Sequence, residues 1–199
     1  MWAVPLAALL ALVPVPGARA LWLGRLDPTQ LLGPWYVLAV ASREKGFALE
    51  RDMKTIEGVV VTLTPENRLQ LLSSRHRLEG CAQQEVELVK QTSGWVFENP
   101  SRGVLEYRVL GTNFRDFAVV FTQLEFGEES FNTVELYSRR QTASGEALRL
   151  FSKWSKGLGF LSQQQAQLRK DVTCAQKILQ RRQVPAAGEP AQGCRWDVW

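Results

Sequence analysis

Ile56-Glu57-Gly58-Val59-Val60-Val61-Thr62-Leu63-Thr64 is followed by Pro65-Glu66-Asn67-Arg68 and then by Leu69-Gln70-Leu71-Leu72-Ser73-Ser74-Arg75-His76. Two runs rich in β-branched and aliphatic residues thus flank four turn formers, the pattern of an antiparallel hairpin. The pattern extends in both directions. Upstream lies an apolar run at 34–41; downstream, runs at 81–89, 94–98, 104–110, 116–126 and 131–139 are separated by turn segments at 90–93, 99–103 and 127–130. Eight runs at near-regular spacing predict an antiparallel meander, and no long helical stretch interrupts them, which excludes a doubly wound parallel sheet. The gap at 42–55 is too long for a hairpin and predicts an Ω-like flap carrying Phe47 and Leu49.

After Arg140 the period changes. Ala147, Leu150, Phe151, Trp154 and Leu158 recur at helical spacing, with Ser144 as N-cap and Gly157 or Gly159 as the stop. This predicts an amphipathic helix lying on the outside of the sheet. The polar stretch 163–180 has room for a second short helix around Cys174. Eight strands and one C-terminal α-helix outline an all-β fold, an eight-stranded antiparallel up-and-down barrel. A barrel of this size is just wide enough for its own side chains or for one small ligand. Filled or hollow is therefore the functional question.

The chain has 199 residues, 45% hydrophobic and 22% charged, with 24 basic and 20 acidic side chains giving a formal charge of +4. One domain with a sizeable core is expected at this length. The basic residues are interspersed with acidic ones, so no nucleic-acid-binding stripe is present. Residues 1–15 are apolar and uncharged, Pro14, Pro16 and Gly17 break the run, and Ala18-Arg19-Ala20 has the form of a cleavage site. The run is too short and too proline-broken to span a bilayer, and reads as a secretory signal at 1–20. The folded domain is then expected at 21–180. The segment 181–199, rich in Pro, Gly, Ala and Gln, is expected to be a disordered tail despite Trp196 and Trp199. Secretion places the three cysteines, Cys81, Cys174 and Cys194, in an oxidising compartment, where two of them should pair. No Cys-x-x-Cys pair exists and His76 is the sole histidine, so no metal site is expected. No Asn-x-Ser/Thr sequon is present either.

Three separated motifs carry a resemblance. Gly33-Pro34-Trp35-Tyr36 matches the G-x-W-Y opening of the lipocalins, Thr112-Asn113-Phe114 stands where that family has Thr-Asp-Tyr, and Leu136-Tyr137-Ser138-Arg139 stands at its end-of-last-strand arginine. Over 22–180 the chain resembles a lipocalin. The resemblance implies a secreted calyx, a disulfide between Cys81 and Cys174, and a structural seal in which Trp35 plugs the closed end with Arg139 behind its ring. With Asn113 in place of an acid, the hydrogen bonds supporting that end are expected to be weaker, although Asn can still accept.

If Arg139 turns inward, alternation carries Phe131, Thr133, Glu135 and Tyr137 to the same side. From Trp35 the same rule points Val37, Ala39 and Ala41 inward. Aligned to the family pattern, Val59, Val61, Leu71, Ser73 and Arg75 join them, with Tyr107, Ala118, Val120, Trp95 and Phe97. The expected ligand-binding set is Val37, Ala39, Val59, Val61, Leu71, Arg75, Trp95, Phe97, Tyr107, Ala118, Val120, Glu135 and Tyr137. Several of these are small, which predicts a void; the competing reading is a narrow barrel filled by Leu71, Phe97 and Tyr107. Arg75 has three open roles: pairing with Glu135, meeting a ligand carboxylate, or sitting solvated near the mouth.

The expected function is a secreted, extracellular carrier of a small hydrophobic molecule such as a fatty acid or retinoid, without cofactor and without catalysis. Some lipocalins isomerise a lipid with a thiolate near the second strand, but Asp52-Met53-Lys54-Thr55 here holds no thiol, and His76 has no partner serine in evident reach. A third reading is a surface module for a cell-surface receptor or a sperm membrane, to which the modest positive charge lends little.

Overall fold

A computed structural model of the chain describes residues 28–92 and 96–180. The expected leader at 1–20 and tail at 181–199 lie outside the described residues, as do Trp95 and Cys194. The elements are β1 (Gly33–Ser42), α1 (Phe47–Glu50), β2 (Glu57–Leu63), β3 (Leu69–Arg77), β4 (Gly80–Lys90), β5 (Val96–Asn99), β6 (Val104–Thr112), β7 (Phe117–Phe126), β8 (Glu129–Ser138), α2 (Gly145–Gly157), β9 (Gln165–Gln167) and α3 (Thr173–Leu179). Strands β2 to β8 pair in sequence order, β8 pairs with β1, and β1 returns to β2, closing an antiparallel barrel of eight strands.

The closure depends on an irregularity in β1. Its first half pairs with β2 from Gly33↔Val61 to Val37↔Glu57, while its register against β8 shifts between Val37 and Ala39. A bulge adds one residue and bends its strand. Beyond it β1 leaves β2, and β9, a ninth strand that the sequence did not suggest, takes the freed edge through Ala39↔Gln167, Val40↔Ala166 and Ala41↔Gln165. Gln-Ala-Gln has little strand propensity; an edge of unpaired backbone groups is what holds it.

Two apolar cores result. One fills the barrel; the other, containing Phe117, Val119, Phe121, Val134, Leu136, Ala147 and Phe151, lies between the outer face of β7 and β8 and helix α2. Helix α2 presents the expected stripe, with Ala147 and Phe151 buried and Leu150, Trp154 and Leu158 packed beside them. Its N-terminus is capped by Ser144, whose hydroxyl oxygen accepts the Ala147 N–H at 3.1 Å. The 42–55 segment is not an open Ω loop but α1 followed by a 3₁₀ turn at Arg51–Met53. Phe47 is buried there, whereas Leu49 points to solvent, so only one of the two apolar residues holds the segment down.

A second outer helix, α3, packs on β2 and β3 with Cys174, Ala175, Ile178 and Leu179 buried. Cys174 is disulfide-bonded to Cys81 at the start of β4, across 93 residues of chain. The approach of α3 to β2 is close enough to demand glycine. A Cβ on Gly58 would lie 2.8 Å from the Ala175 Cα and 2.9 Å from its carbonyl oxygen, backbone atoms that cannot swing aside. Overpacking of this kind costs about 1–3 kcal/mol. Gly58→Ala is therefore expected to lower the thermal midpoint by about 3–10 °C. Gly157→Ala, where nothing lies within 4 Å of the added carbon, is the matched control and should leave the midpoint unchanged or slightly raised.

Candidate functional site

Position along the strands sorts the inward side chains into two levels. At the lower level, toward Trp35, the side chains of Val37, Val61, Leu69, Leu88 and Val120 are fully buried and belong to one apolar cluster. Above them, toward the ends of β1, β3 and β7, lies a cavity of about 320 Å³. Small-molecule sites run from about 300 to 1,000 Å³, so this one is at the small end. The barrel is thus filled in its lower half and hollow in its upper half, a division between the two outcomes the sequence left open.

The expected residues divide along the same line. Val59, Leu71, Arg75, Tyr107, Glu135 and Tyr137 line the cavity. Val37, Val61, Phe97, Ala118 and Val120 belong to the barrel core but form its packed floor rather than the cavity wall. Ala39 is a correction, as is Ala41. Both sit in the outer core beneath α2, because the bulge after Val37 inverts the alternation and turns Val40 and Ser42 inward instead. The inward phase on β8 runs as expected through Phe131, Thr133, Glu135 and Tyr137.

Sequence reasoning missed several wall residues: Phe47, Glu57, Val86, Val104, Thr122 and Leu124. Glu57 carries the most consequence. Placing Val59 and Val61 inward already places Glu57 inward by period two, so the signal was present. Its Oε2 lies 3.2 Å from Arg75 Nε, and Glu135 Oε1 lies 3.7 Å from Arg75 Nη2. The two carboxylates are about a tenth exposed (9% and 10%), and the guanidinium between them 37%. Arg75 is therefore neither solvated alone nor paired only with Glu135; it is shared by two acids.

The surroundings bias these groups. Glu57, more than any other neighbour, holds Arg75 firmly protonated. Burial pushes the Glu135 carboxyl up, with Arg75 pulling the other way. Burial likewise raises the phenols of Tyr107 and Tyr137, which line the same cavity. Three more charged residues line the cavity, Glu44, Lys54 and Arg77, and Lys54, 17% exposed, also favours the charged form of Glu135. The Lys54 ammonium lies over the Phe47 ring at 5.4 Å and 3.9 Å from Glu50, while Arg77 is exposed.

The closed end is a polar seal around one indole. Trp35 is 1% exposed, its Nε1–H donates to the Leu31 carbonyl at 2.7 Å, and the Arg139 guanidinium carbon lies 3.4 Å from its ring centroid. Arg139 donates to the carbonyls of Pro34, Leu32 and Gln30 at 2.8, 2.7 and 3.2 Å, so it ties the entering segment to the end of β8. Asn113 supports this end more fully than expected. Its Oδ1 accepts from the backbone N–H groups of Arg115, Asp116 and Phe117 at 3.1, 2.8 and 3.2 Å. An amide oxygen serves in this β6–β7 turn because the work is acceptance from backbone donors, which needs no charge.

Comparison with known proteins agrees with this architecture. Residues 32–171 match the model of the lipocalin / cytosolic fatty-acid binding protein family. The chain is 76% identical over 174 residues to epididymal-specific lipocalin-6 of Macaca mulatta, covering 87% of this chain and 97% of that protein. To the Homo sapiens protein of the same name it is 73% identical over 158 residues, covering 79% of this chain and 97% of the relative. Among solved structures, that of the siderocalin Ex-FABP, reported to function through dual ligand specificities, superposes with a TM-score of 0.69 at 23% identity, covering 73% of this chain and 97% of that one. With the closed barrel, the Trp35–Arg139 seal and these matches together, the chain belongs to the lipocalin / cytosolic fatty-acid binding protein family.

Proposed function

We propose that this protein is an exported carrier of a small, largely apolar molecule held in the upper half of the barrel, and that it performs no chemistry on its cargo. The observation that carries this reading is the cavity of about 320 Å³ left open above a fully packed floor. Its wall sets the apolar side chains of Val40, Phe47, Val59, Leu71, Val86, Val104, Leu124, Phe126 and Phe131 among polar and charged ones, a more polar lining than most small-molecule sites have. Burial of a dozen methylenes would give about 10 kcal/mol gross. Association costs of about 4–15 kcal/mol leave about 6 kcal/mol at most, a dissociation constant of tens of micromolar at the tightest.

The apolar segment at 1–15 with Ala18-Arg19-Ala20 supports export, and the epididymal name of the primate relatives supports male reproductive fluid as the place of action. A cell-surface receptor or the sperm surface would be the recipient. Absence of catalysis fits His76, which lies on the outward phase of β3 and is exposed, away from the cavity.

Titration with the uncharged fluorophore N-phenyl-1-naphthylamine tests the reading. Saturable enhancement with a micromolar midpoint, reversed by 1-dodecanol, is the expected result. No enhancement, with the protein folded by circular dichroism, would leave the carrier reading without support. A variant localises the site: Val59→Phe, which fills the cavity from β2, should weaken probe binding at least about tenfold while leaving the fold intact.

A further inference from the structure

The barrel wall is not laddered along its whole height. Strand β4 pairs with β3 from Arg77↔Gly80 to Leu69↔Leu88, but with β5 only through Val89↔Glu98 and Lys90↔Phe97. Past Asn99 the chain turns away into the 3₁₀ segment Pro100–Arg102, so no described strand pairs with the β5 side of β4 over 81–88. Two hydrogen bonds show which backbone groups face that gap. The Gln91 N–H donates to the Val96 carbonyl at 2.8 Å and the Asn99 side-chain amide donates to the Glu87 carbonyl at 2.6 Å, so odd-numbered residues point toward β5. The Gln84 carbonyl accepts from the Ser73 hydroxyl on the opposite side. By alternation the N–H and C=O groups of Gln83 and Glu85 face the gap, about 6.8 Å apart, where the ladder has ended.

The gap is a cleft of about 590 Å³ with two walls, Gln83, Gln84 and Glu85 on one side and the segments 100–103 and 125–127 on the other. Gln84 and the half-exposed Phe126 border both this cleft and the barrel cavity. The charged lining is Glu85 and Glu125 against Arg102. At the margins Arg77 offsets Glu79, Arg68 pairs with Glu87, and Glu128 adds one more acid, so the cleft leans acidic.

We propose that the open edge of β4 is a docking site for one extended segment of a partner protein, alternating apolar and basic side chains, which adds as a strand on the backbone of Gln83 and Glu85. An unpaired strand edge is a template for another backbone; main-chain bonds give the affinity and alternate side chains the choice. Apolar side chains of the segment would face Phe126 and the cavity rim, and basic ones the outer face beside Glu85 and Glu125. A walled cleft suits a single chain rather than a second copy, whose flanking strands would meet the 100–103 and 125–127 segments. The proposal does not depend on the carrier reading.

The probe is a capped, fluorescein-labelled hexapeptide alternating valine and lysine, titrated into the full chain at low ionic strength and followed by anisotropy. A saturable rise with a midpoint below about 1 mM is expected. Replacing the lysines by glutamates should weaken binding at least about threefold. Full N-methylation, which keeps the side chains but leaves no N–H to donate, should abolish it. Residue-resolved hydrogen exchange locates the peptide. At saturation the Gln83 and Glu85 amides should slow at least about tenfold, while those of Gln84 and Val86, on the β3 side, change less than about twofold. Glu85→Pro removes an edge donor where a gap-facing N–H makes proline tolerable, and should weaken binding at least about tenfold. Glu85→Thr loses the same carboxylate but keeps the N–H, and should bind within about threefold of the parent. Should Glu85→Pro fail to fold, the N-methylated peptide tests the same backbone bonds. No anisotropy change up to about 1 mM, binding that survives N-methylation, or binding without protection at Gln83 and Glu85 overturns the proposal. So does slow exchange at these two amides before any peptide is added, whether through 181–199 or through a second copy.

Discussion

Replacing Cys81 and Cys174 together by serine is expected to lower the unfolding free energy by up to about 4–5 kcal/mol, the chain-entropy value for a cross-link closing 93 residues. In a domain of this size that corresponds to a fall in thermal midpoint on the order of 10–15 °C. The loop enclosed by the bond includes β4 to β9, so most of the barrel gains from the restriction it places on the unfolded chain. The local consequence is as large as the global one. Helix α3 has only seven residues, too few to persist by backbone hydrogen bonding alone; the disulfide ties it to β4, and Ala175, Ile178 and Leu179 are its other buried anchors. Loss of the bond should open α3 first. Thermal denaturation by circular dichroism, in a Cys194→Ser background that removes the remaining thiol, measures the global term. Amide exchange in α3 and at Arg169, whose N–H donates to the Lys54 carbonyl and whose carbonyl accepts from Ile56 ahead of β2, measures the local one. A midpoint lowered by less than about 3 °C would mean that packing alone secures the helix.

The eight strands were legible because each carries its own signal: alternation or β-branching inside, turn formers at both ends. The helix after Arg140 was legible for the corresponding reason, a stripe at 3.6-residue spacing. What escaped was phase within uniformly apolar segments. In Val37-Leu38-Ala39-Val40-Ala41 no polar residue marks which side faces water, and both faces are in fact buried, one by the barrel and one by α2. Nothing in such a run can reveal a bulge, so Ala39 was placed on the wrong face. Glu57 was missed for a different reason. A charged residue at a strand end reads as solvent-facing, yet its pairing with Arg75 across β2 and β3 makes an inward position tolerable. The extent of the floor was invisible as well. Leu69 and Leu88 face each other across β3 and β4 and are fully buried, a contact that depends on register and barrel closure, neither of which is local.

That floor also determines the effect of breaking the seal. Trp35→Ala is expected to destabilise the protein by about 3–5 kcal/mol, the usual cost of removing a buried aromatic. Part of the loss is the contact with Arg139, worth up to about 2 kcal/mol when desolvated. The rest is the void left among Leu31, Val109 and Ala118, which close around the indole from three elements. The truncation also leaves the Leu31 carbonyl without its indole donor and gives the guanidinium no ring to lie against. Affinity for the cavity should respond differently. Tyr137 stands between Trp35 and the cavity, its ring 6.2 Å from the indole, and Val37 and Val61 complete the layer. With that layer intact, N-phenyl-1-naphthylamine is expected to bind Trp35→Ala within about threefold of the parent at temperatures where both are folded. Arg139→Lys separates the two contributions at the seal. It keeps a cation over the ring but loses the planar fork that serves three carbonyls, and should cost about 1.5–3 kcal/mol through lost charged hydrogen bonds. Chemical denaturation of the three proteins gives the stabilities, and probe titration at 20 °C gives the affinities. If affinity collapses in Trp35→Ala at full folding, the closed end and the cavity form one mechanical unit, and the packed floor does not insulate the ligand site from the seal.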